Sequence, residues 1–128
     1  MFISAHALVQ EATKSVTELP AADIHQHLQT PGALIIDVRE PDEYRQGHIP
    51  GAINMPRGVL EFRISGEPAL QNLERPIVIY CKTSGRAALS AVALQAMGFR
   101  AVISLAGGFD AWVAGQHAYV RPREMAFE

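Results

Sequence analysis

Pro76-Ile77-Val78-Ile79-Tyr80-Cys81-Lys82-Thr83-Ser84-Gly85-Arg86 passes from an unbroken apolar run into a short polar loop. The run Ile77–Tyr80 has the length of a strand, is rich in branched side chains and lacks polar alternation. It therefore predicts a strand buried on both faces. Beyond the loop, Ala and Leu dominate up to Met97 and Gly98 follows, which predicts the longest helix of the chain over Ser84–Met97. A strand that passes through a tight loop into a helix is the first half of a parallel crossover.

The same pattern continues on either side. Upstream, Ala33-Leu34-Ile35-Ile36-Asp37-Val38 reads as a second buried strand and Ala52–Met55 as a short one; downstream, Ala101–Leu105 is a third buried run. Helical segments lie between them: Glu40–Gln46 with Pro41 in its first turn and Gly47 after it, Arg57–Ile64, and Phe109–Ala114 between Gly107-Gly108 and Gly115. Ser65 to Pro68 breaks the second of these. Near the start, Ala5, Leu8, Val9, Ala12 and Val16 recur every three or four residues and predict a helix over Ser4–Thr17 capped by Ser4. Ala21–Leu28 forms a second amphipathic piece, and Pro31-Gly32 a turn. Strands alternating with helices predict an α/β fold, a parallel sheet with helices on both faces. The expected organisation is a helical extension over 1–15, one domain over 16–116 and an extended tail over 117–128 that carries Pro122 among mixed charges.

Composition narrows the function. The 128 residues are enough for one buried core, and 48% hydrophobic with 19% charged residues is ordinary for a globular domain. A net charge of −2 without a basic run gives no footprint for nucleic acid. No apolar run approaches the roughly 20 residues needed to span a bilayer, so no membrane partner is expected. Met1 to Gln10 has neither a basic flank nor a small-residue cleavage pattern, so no secretory signal is expected. The single cysteine excludes a disulfide framework within the chain and suits a reducing, cytoplasmic setting. Five histidines without metal-ligand spacing predict no zinc site, and Gly107-Gly108 lacks the spacing of a nucleotide fingerprint.

The chemistry points to the loop. In open parallel sheets, ligands sit beyond the carboxyl ends of the strands, where Cys81 stands. Successive backbone N–H groups of so short a loop can form an anion-binding cup, and the following helix adds its positive end. Cationic neighbours and a helix N-terminus lower a cysteine's pKa from its usual value of about 8.5, so Cys81 is expected to react as a thiolate. Lys82 and Arg86 supply formal charge, while Thr83, Ser84 and Gly85 complete the cup. Each residue alone has a plainer reading: a buried small apolar side chain for Cys81, a solvated charge for Lys82, a helix cap for Ser84, a partner for a helix-face carboxylate for Arg86. The combination carries the signal, and it requires a sulfur that a donor can reach.

Three stretches resemble the rhodanese family: Ile36-Asp37-Val38-Arg39-Glu40 with Glu43-Tyr44 and Gly47-His48-Ile49-Pro50-Gly51-Ala52-Ile53-Asn54; the loop from Tyr80-Cys81 to Arg86; and Leu105-Ala106-Gly107-Gly108-Phe109-Asp110-Ala111-Trp112. The resemblance runs from about Val16 to Gly115. It implies a five-stranded parallel core and a sulfurtransferase that needs no cofactor. Cys81 would attack the outer sulfur of a small anionic donor such as thiosulfate, hold it as a persulfide, and pass it to a thiol or cyanide. Lys82, Thr83, Ser84, Gly85 and Arg86 would bind the donor. Two departures stand out. Many active members have Gly where this chain has Ser84, whose side chain is expected to narrow the cup or alter its dihedrals. Some two-domain thiosulfate enzymes carry a basic residue where this chain has Glu43, which bears on donor preference. The helix before Val16 lies outside the shared core and is a candidate homodimer face.

Other residues read as structural. Asp37 and Arg39 are expected to be structural, because a strand-end carboxylate needs partners when buried, His48 to bond backbone near its turn, and Trp112 to fill the core. Cysteine phosphatases and arsenate reductases are the rival enzyme class. Their loop sets five residues between cysteine and arginine, whereas four separate Cys81 from Arg86. The rival outside catalysis is a binding or sulfur-carrier module that keeps the fold with weak or no turnover.

Overall fold

A computed structural model describes residues 1–122. The strands are β1 (Thr17–Leu19), β2 (Leu34–Asp37), β3 (Ile53–Asn54), β4 (Ile77–Tyr80) and β5 (Val102–Leu105). The helices are α1 (Ala5–Thr13), α2 (Ala21–His27), α3 (Pro41–Gln46), α4 (Leu60–Ser65), α5 (Gly85–Ala96) and α6 (Gly108–Ala114), with 3₁₀ turns at Arg57–Val59 and Pro68–Leu70. The five strands form one sheet in the order β1-β5-β4-β2-β3, with parallel pairing throughout.

Alternation along β4 shows how the layers arise. Ile77, Ile79 and Cys81 point to one face and pack with Leu60 and Ile64 of α4 and Ala87, Ala91 and Leu94 of α5. Val78 and Tyr80 point to the other, against Ile24 of α2 and Trp112 of α6. Both faces are therefore covered, and the central strands carry no polar alternation because neither face meets water. Small alanines on α5 let that helix lie close over the sheet. Trp112 is buried and donates its Nε1–H to the Ala118 carbonyl at 2.8 Å.

Two sequence expectations need correction. The first helix stops at Thr13 rather than Thr17. Thr13 Oγ1 and Ser15 Oγ turn back onto the carbonyls of Val9 and Ala12, and the chain then runs as an edge strand beside β5. Pro68–Leu70 forms a 3₁₀ turn where only a break was expected. Val120 exchanges hydrogen bonds with His48 in an isolated antiparallel bridge; half of the tail expected to be extended, residues 123–128, lies outside the described residues. No helix among the described residues is long and apolar enough to cross a membrane.

Candidate active site

β4 stops at Tyr80 and α5 starts at Gly85, so the loop between them lies at the carboxyl edge of the sheet. The start of α6 shapes it. Phe109 N–H donates to the Cys81 carbonyl at 2.8 Å and Asp110 N–H to the Lys82 carbonyl at 3.1 Å. Gly108, at φ 61°, sits against this carbonyl side: a Cβ there would come within 2.6 Å of the backbone oxygens of Cys81, Lys82 and Thr83. In a trans peptide the N–H points opposite to the C=O, so turning three carbonyls toward α6 turns the next N–H groups away from it. Among the described residues, the N–H groups of Lys82, Thr83, Ser84, Gly85 and Arg86 make no hydrogen bond. The next one, from Ala87, donates to Cys81 Sγ at 3.4 Å. The candidate residues are thus brought into one loop, with open donors following one another beside the sulfur.

Ser84 stands at φ −152° and ψ −20°, outside both the helical and the extended regions. Its carbonyl accepts the Ala88 N–H at 2.9 Å, and its hydroxyl makes no cap hydrogen bond. The loop also touches α1. A Cβ on Gly85 would lie 3.5 Å from Val9 Cγ2, and Gln95 at the far end of α5 donates to the Ser15 carbonyl at 3.0 Å. The N-terminal helix therefore lies along α5 of its own chain, with Leu8 left exposed.

Cys81 is only 1% exposed. Its side chain points to the face that holds Val38, Met55 and Ala87, so the sulfur is covered by the loop and the first turn of α5. That is deeper than the accessible thiol expected from sequence.

The two cations of the loop are engaged. Arg86 grips Glu43 of α3 through two hydrogen bonds, Nη1–Oε1 at 2.7 Å and Nη2–Oε2 at 3.0 Å. Lys82 Nζ meets Asp110 Oδ2 at 2.7 Å. Glu43 also accepts the Glu40 N–H at 2.9 Å in a capping box. Hydrogen bonds from Arg86 hold the Glu43 carboxyl down at about 2, against an opposing contribution from burial. The same bonds raise the Arg86 guanidinium, and the Cys81 sulfur acts in that direction too. Because the Glu43 pKa is lowered on folding, the pair's stabilisation is complete above the ordinary carboxylate value of 4.5 and is lost as pH falls through about 2. The stability gap between the wild type and Glu43→Gln is expected to hold steady from neutral pH to about 5 and to close toward about pH 2, a modest effect for a half-exposed pair. Denaturant titrations at several pH values measure it, and a gap that does not vary with pH contradicts the assignment.

Beneath the loop lies a separate buried network. Arg39 donates to Asp37 from Nε at 3.0 Å and Nη2 at 2.7 Å, and its Nη2 also reaches the Gly47 carbonyl at 2.7 Å. Its guanidinium lies 4.5 Å from the Phe109 ring centroid. Burial opposes the Arg39 charge, but Asp37 outweighs it and keeps the pKa above the ordinary value. Tyr80 accepts the Ile49 N–H at 3.1 Å, and burial pushes its hydroxyl far up. His48 Nδ1 lies 2.9 Å from the Tyr44 carbonyl, and its ring stacks on Tyr44. These residues fix the strand ends and the base of α6; the structural roles expected of Asp37, Arg39 and His48 are met. Among the described residues, no three of His, Cys, Asp or Glu gather as metal ligands.

Sequence reasoning offered Arg86 a helix-face carboxylate and flagged Glu43 for donor preference, but it did not join the two, and it did not mark Asp110 as the partner of Lys82. Asp110 lies 28 residues from Lys82 and Glu43 lies 43 from Arg86, so no local spacing marks either pair.

The sequence pattern of the rhodanese-like domain matches residues 20–115. A sulfurtransferase of Allochromatium vinosum is 34% identical over 98 residues, 76% of this chain and 88% of that protein. Among solved structures, a protein of unknown function and possible tyrosine phosphatase from Rhodopseudomonas palustris superposes with a TM-score of 0.83 at 32% identity, covering 92% of this chain and 95% of that one. The polysulfide-sulfur transferase homodimer of Wolinella succinogenes gives 0.77 at 31% identity, covering 90% and 85%. The matched span starts after α1 and β1, so the helix that touches Gly85 lies outside it.

Proposed function

This chain belongs to the rhodanese-like domain family, and from that premise we propose that it moves a sulfane sulfur from a donor such as thiosulfate to a thiophilic acceptor through a persulfide on Cys81. The observation that carries the reading is the row of unpartnered N–H groups from Lys82 to Arg86 beside a sulfur that already accepts the Ala87 N–H. Those donors suit an anion whose charge rests on sulfur or oxygen, and they need no reorganisation as the charge moves.

In the first step the Cys81 thiolate attacks the outer sulfur of thiosulfate. The S–S bond to the sulfonate breaks, sulfite leaves with the electron pair, and Cys81 keeps a persulfide anion. The new sulfur stands about 2 Å beyond Sγ, which carries the charge outward into the loop amides. In the second step cyanide or a thiolate attacks that outer sulfur and Cys81 leaves as thiolate. Lys82, Thr83, Ser84, Gly85 and Arg86 bind the donor, chiefly by backbone. The transfer unit spans residues 16–116, and its lone thiol suits the reducing cytoplasm. The Wolinella relative is a homodimer, and α1 with its exposed Leu8 is the face through which two copies of this chain would pair.

The four-residue spacing from Cys81 to Arg86 favours attack on a single sulfur atom over the enclosure of a tetrahedral phosphate. The test measures thiocyanate formation from thiosulfate and cyanide beside hydrolysis of an aryl phosphate. Thiocyanate formation without phosphate release is expected. Phosphate release would assign the loop to phosphatase chemistry, and the absence of both activities would leave a binding module.

A further inference from the structure

Both cations of the loop are spent on carboxylates from other helices, Arg86 on Glu43 and Lys82 on Asp110. Arg39, also near the loop, is committed to Asp37 in the interior. Glu40 adds a further negative charge felt by Arg86. The side-chain charges at the mouth therefore sum to zero or below, which leaves the backbone amides as the main attraction for an anion. Resting on the sulfur-transfer reading above, we propose that Glu43 is a specificity-determining residue: by holding Arg86 neutralised, it turns the site from dianionic donors toward alkyl persulfides.

The argument is one of charge. Thiosulfate brings two negative charges up to a thiolate, and that approach needs cations free to face the donor. An alkyl persulfide is more acidic than a thiol, so it brings at most the single charge of R–S–S⁻, and none as the R–S–SH form that the thiolate attacks. The Cys81 thiolate attacks its outer sulfur, the R–S bond to that sulfur breaks, and R–S⁻ leaves with the electron pair. The transferred sulfur keeps its proton as Cys81–S–SH, so the total charge stays the same on both sides. Glu43 acts through Arg86 and not on the donor, so it is a positioning residue.

The experiment compares thiosulfate with 2-hydroxyethyl persulfide, whose alkyl group carries no charge, as donors to the full chain, reading kcat and KM for each and the gain of one sulfur on Cys81 by intact mass. Glu43→Gln keeps an acceptor for the Glu40 N–H and for Arg86 while removing the charge. Its ratio of thiosulfate to persulfide efficiency is expected to rise roughly tenfold, mainly through a lower KM for thiosulfate, and the gain should shrink in high salt. Glu43→Asp, which keeps the charge, should stay near the wild-type ratio. An unchanged or falling ratio in Glu43→Gln, or equal shifts in both variants, overturns the inference while leaving the sulfur-transfer reading in place. If neither donor loads Cys81 in the wild type, both fall together.

Discussion

Cys81→Ser is expected to abolish sulfur transfer and leave the protein folded. A serine hydroxyl is a poor nucleophile toward sulfur and forms no persulfide, so turnover should fall by about four orders of magnitude or more. The fold should survive because the side chain is small and has a partner waiting. The Ala87 N–H that now meets Sγ can donate to a serine oxygen instead, and the change costs about 1–2 kcal/mol for placing a hydroxyl among Val38, Met55 and Ala87. Circular dichroism and thermal unfolding check the fold, and thiocyanate formation checks the chemistry. Residual turnover above the background in a folded variant would remove Cys81 from the role of nucleophile.

Gly108→Ala should have the second largest effect, and by a different route. At φ 61° an L side chain is strained, and the new methyl would collide with three backbone oxygens, those of Cys81, Lys82 and Thr83. Backbone atoms cannot swing aside as a flexible side chain can. Either α6 retreats and loses the Phe109 and Asp110 hydrogen bonds, or the loop turns and its N–H groups no longer line up beside Sγ. A loss of about 3 kcal/mol or more is expected, with activity of the folded fraction down by about a hundredfold. Gly58→Ala is the control, because a Cβ there meets nothing within 4 Å. Denaturant unfolding and donor kinetics on both variants give the comparison; wild-type kinetics in Gly108→Ala would show that α6 does not shape the loop.

The parts of the fold that can be read from sequence share one property: the signal lies within a single element. Ile77–Tyr80, Leu34–Asp37 and Val102–Leu105 declare themselves as buried strands by short apolar runs rich in branched residues, and α5 by its alanines and leucines. β1 does not. It is three residues long, lies at the sheet edge, and follows a helical stripe into which Val16 fits equally well, so only its pairing with β5 makes it a strand. The five-strand count was legible only through the family resemblance.

The site divides in the same way. Cys81, the polar loop and the following helix are contiguous and could be read directly. The φ of Ser84, the burial of the sulfur and the partners Glu43 and Asp110 depend on how α3, α5 and α6 converge, which no linear spacing encodes. Gly108 shows the point most clearly. In sequence it is one glycine of a pair before a helix; in the fold it is where α6 presses on the carbonyl side of the loop and so turns the amides away from itself.

The most direct measurement is the intact mass of the native protein after brief exposure to thiosulfate or glutathione persulfide, followed by fragmentation to place the added mass. One additional sulfur atom on Cys81, absent from Cys81→Ser and removed by cyanide, is the predicted result. An unchanged mass with every donor, and a thiol that becomes alkylable only on unfolding, would contradict the account: the burial of Cys81 would then be that of an inert core residue.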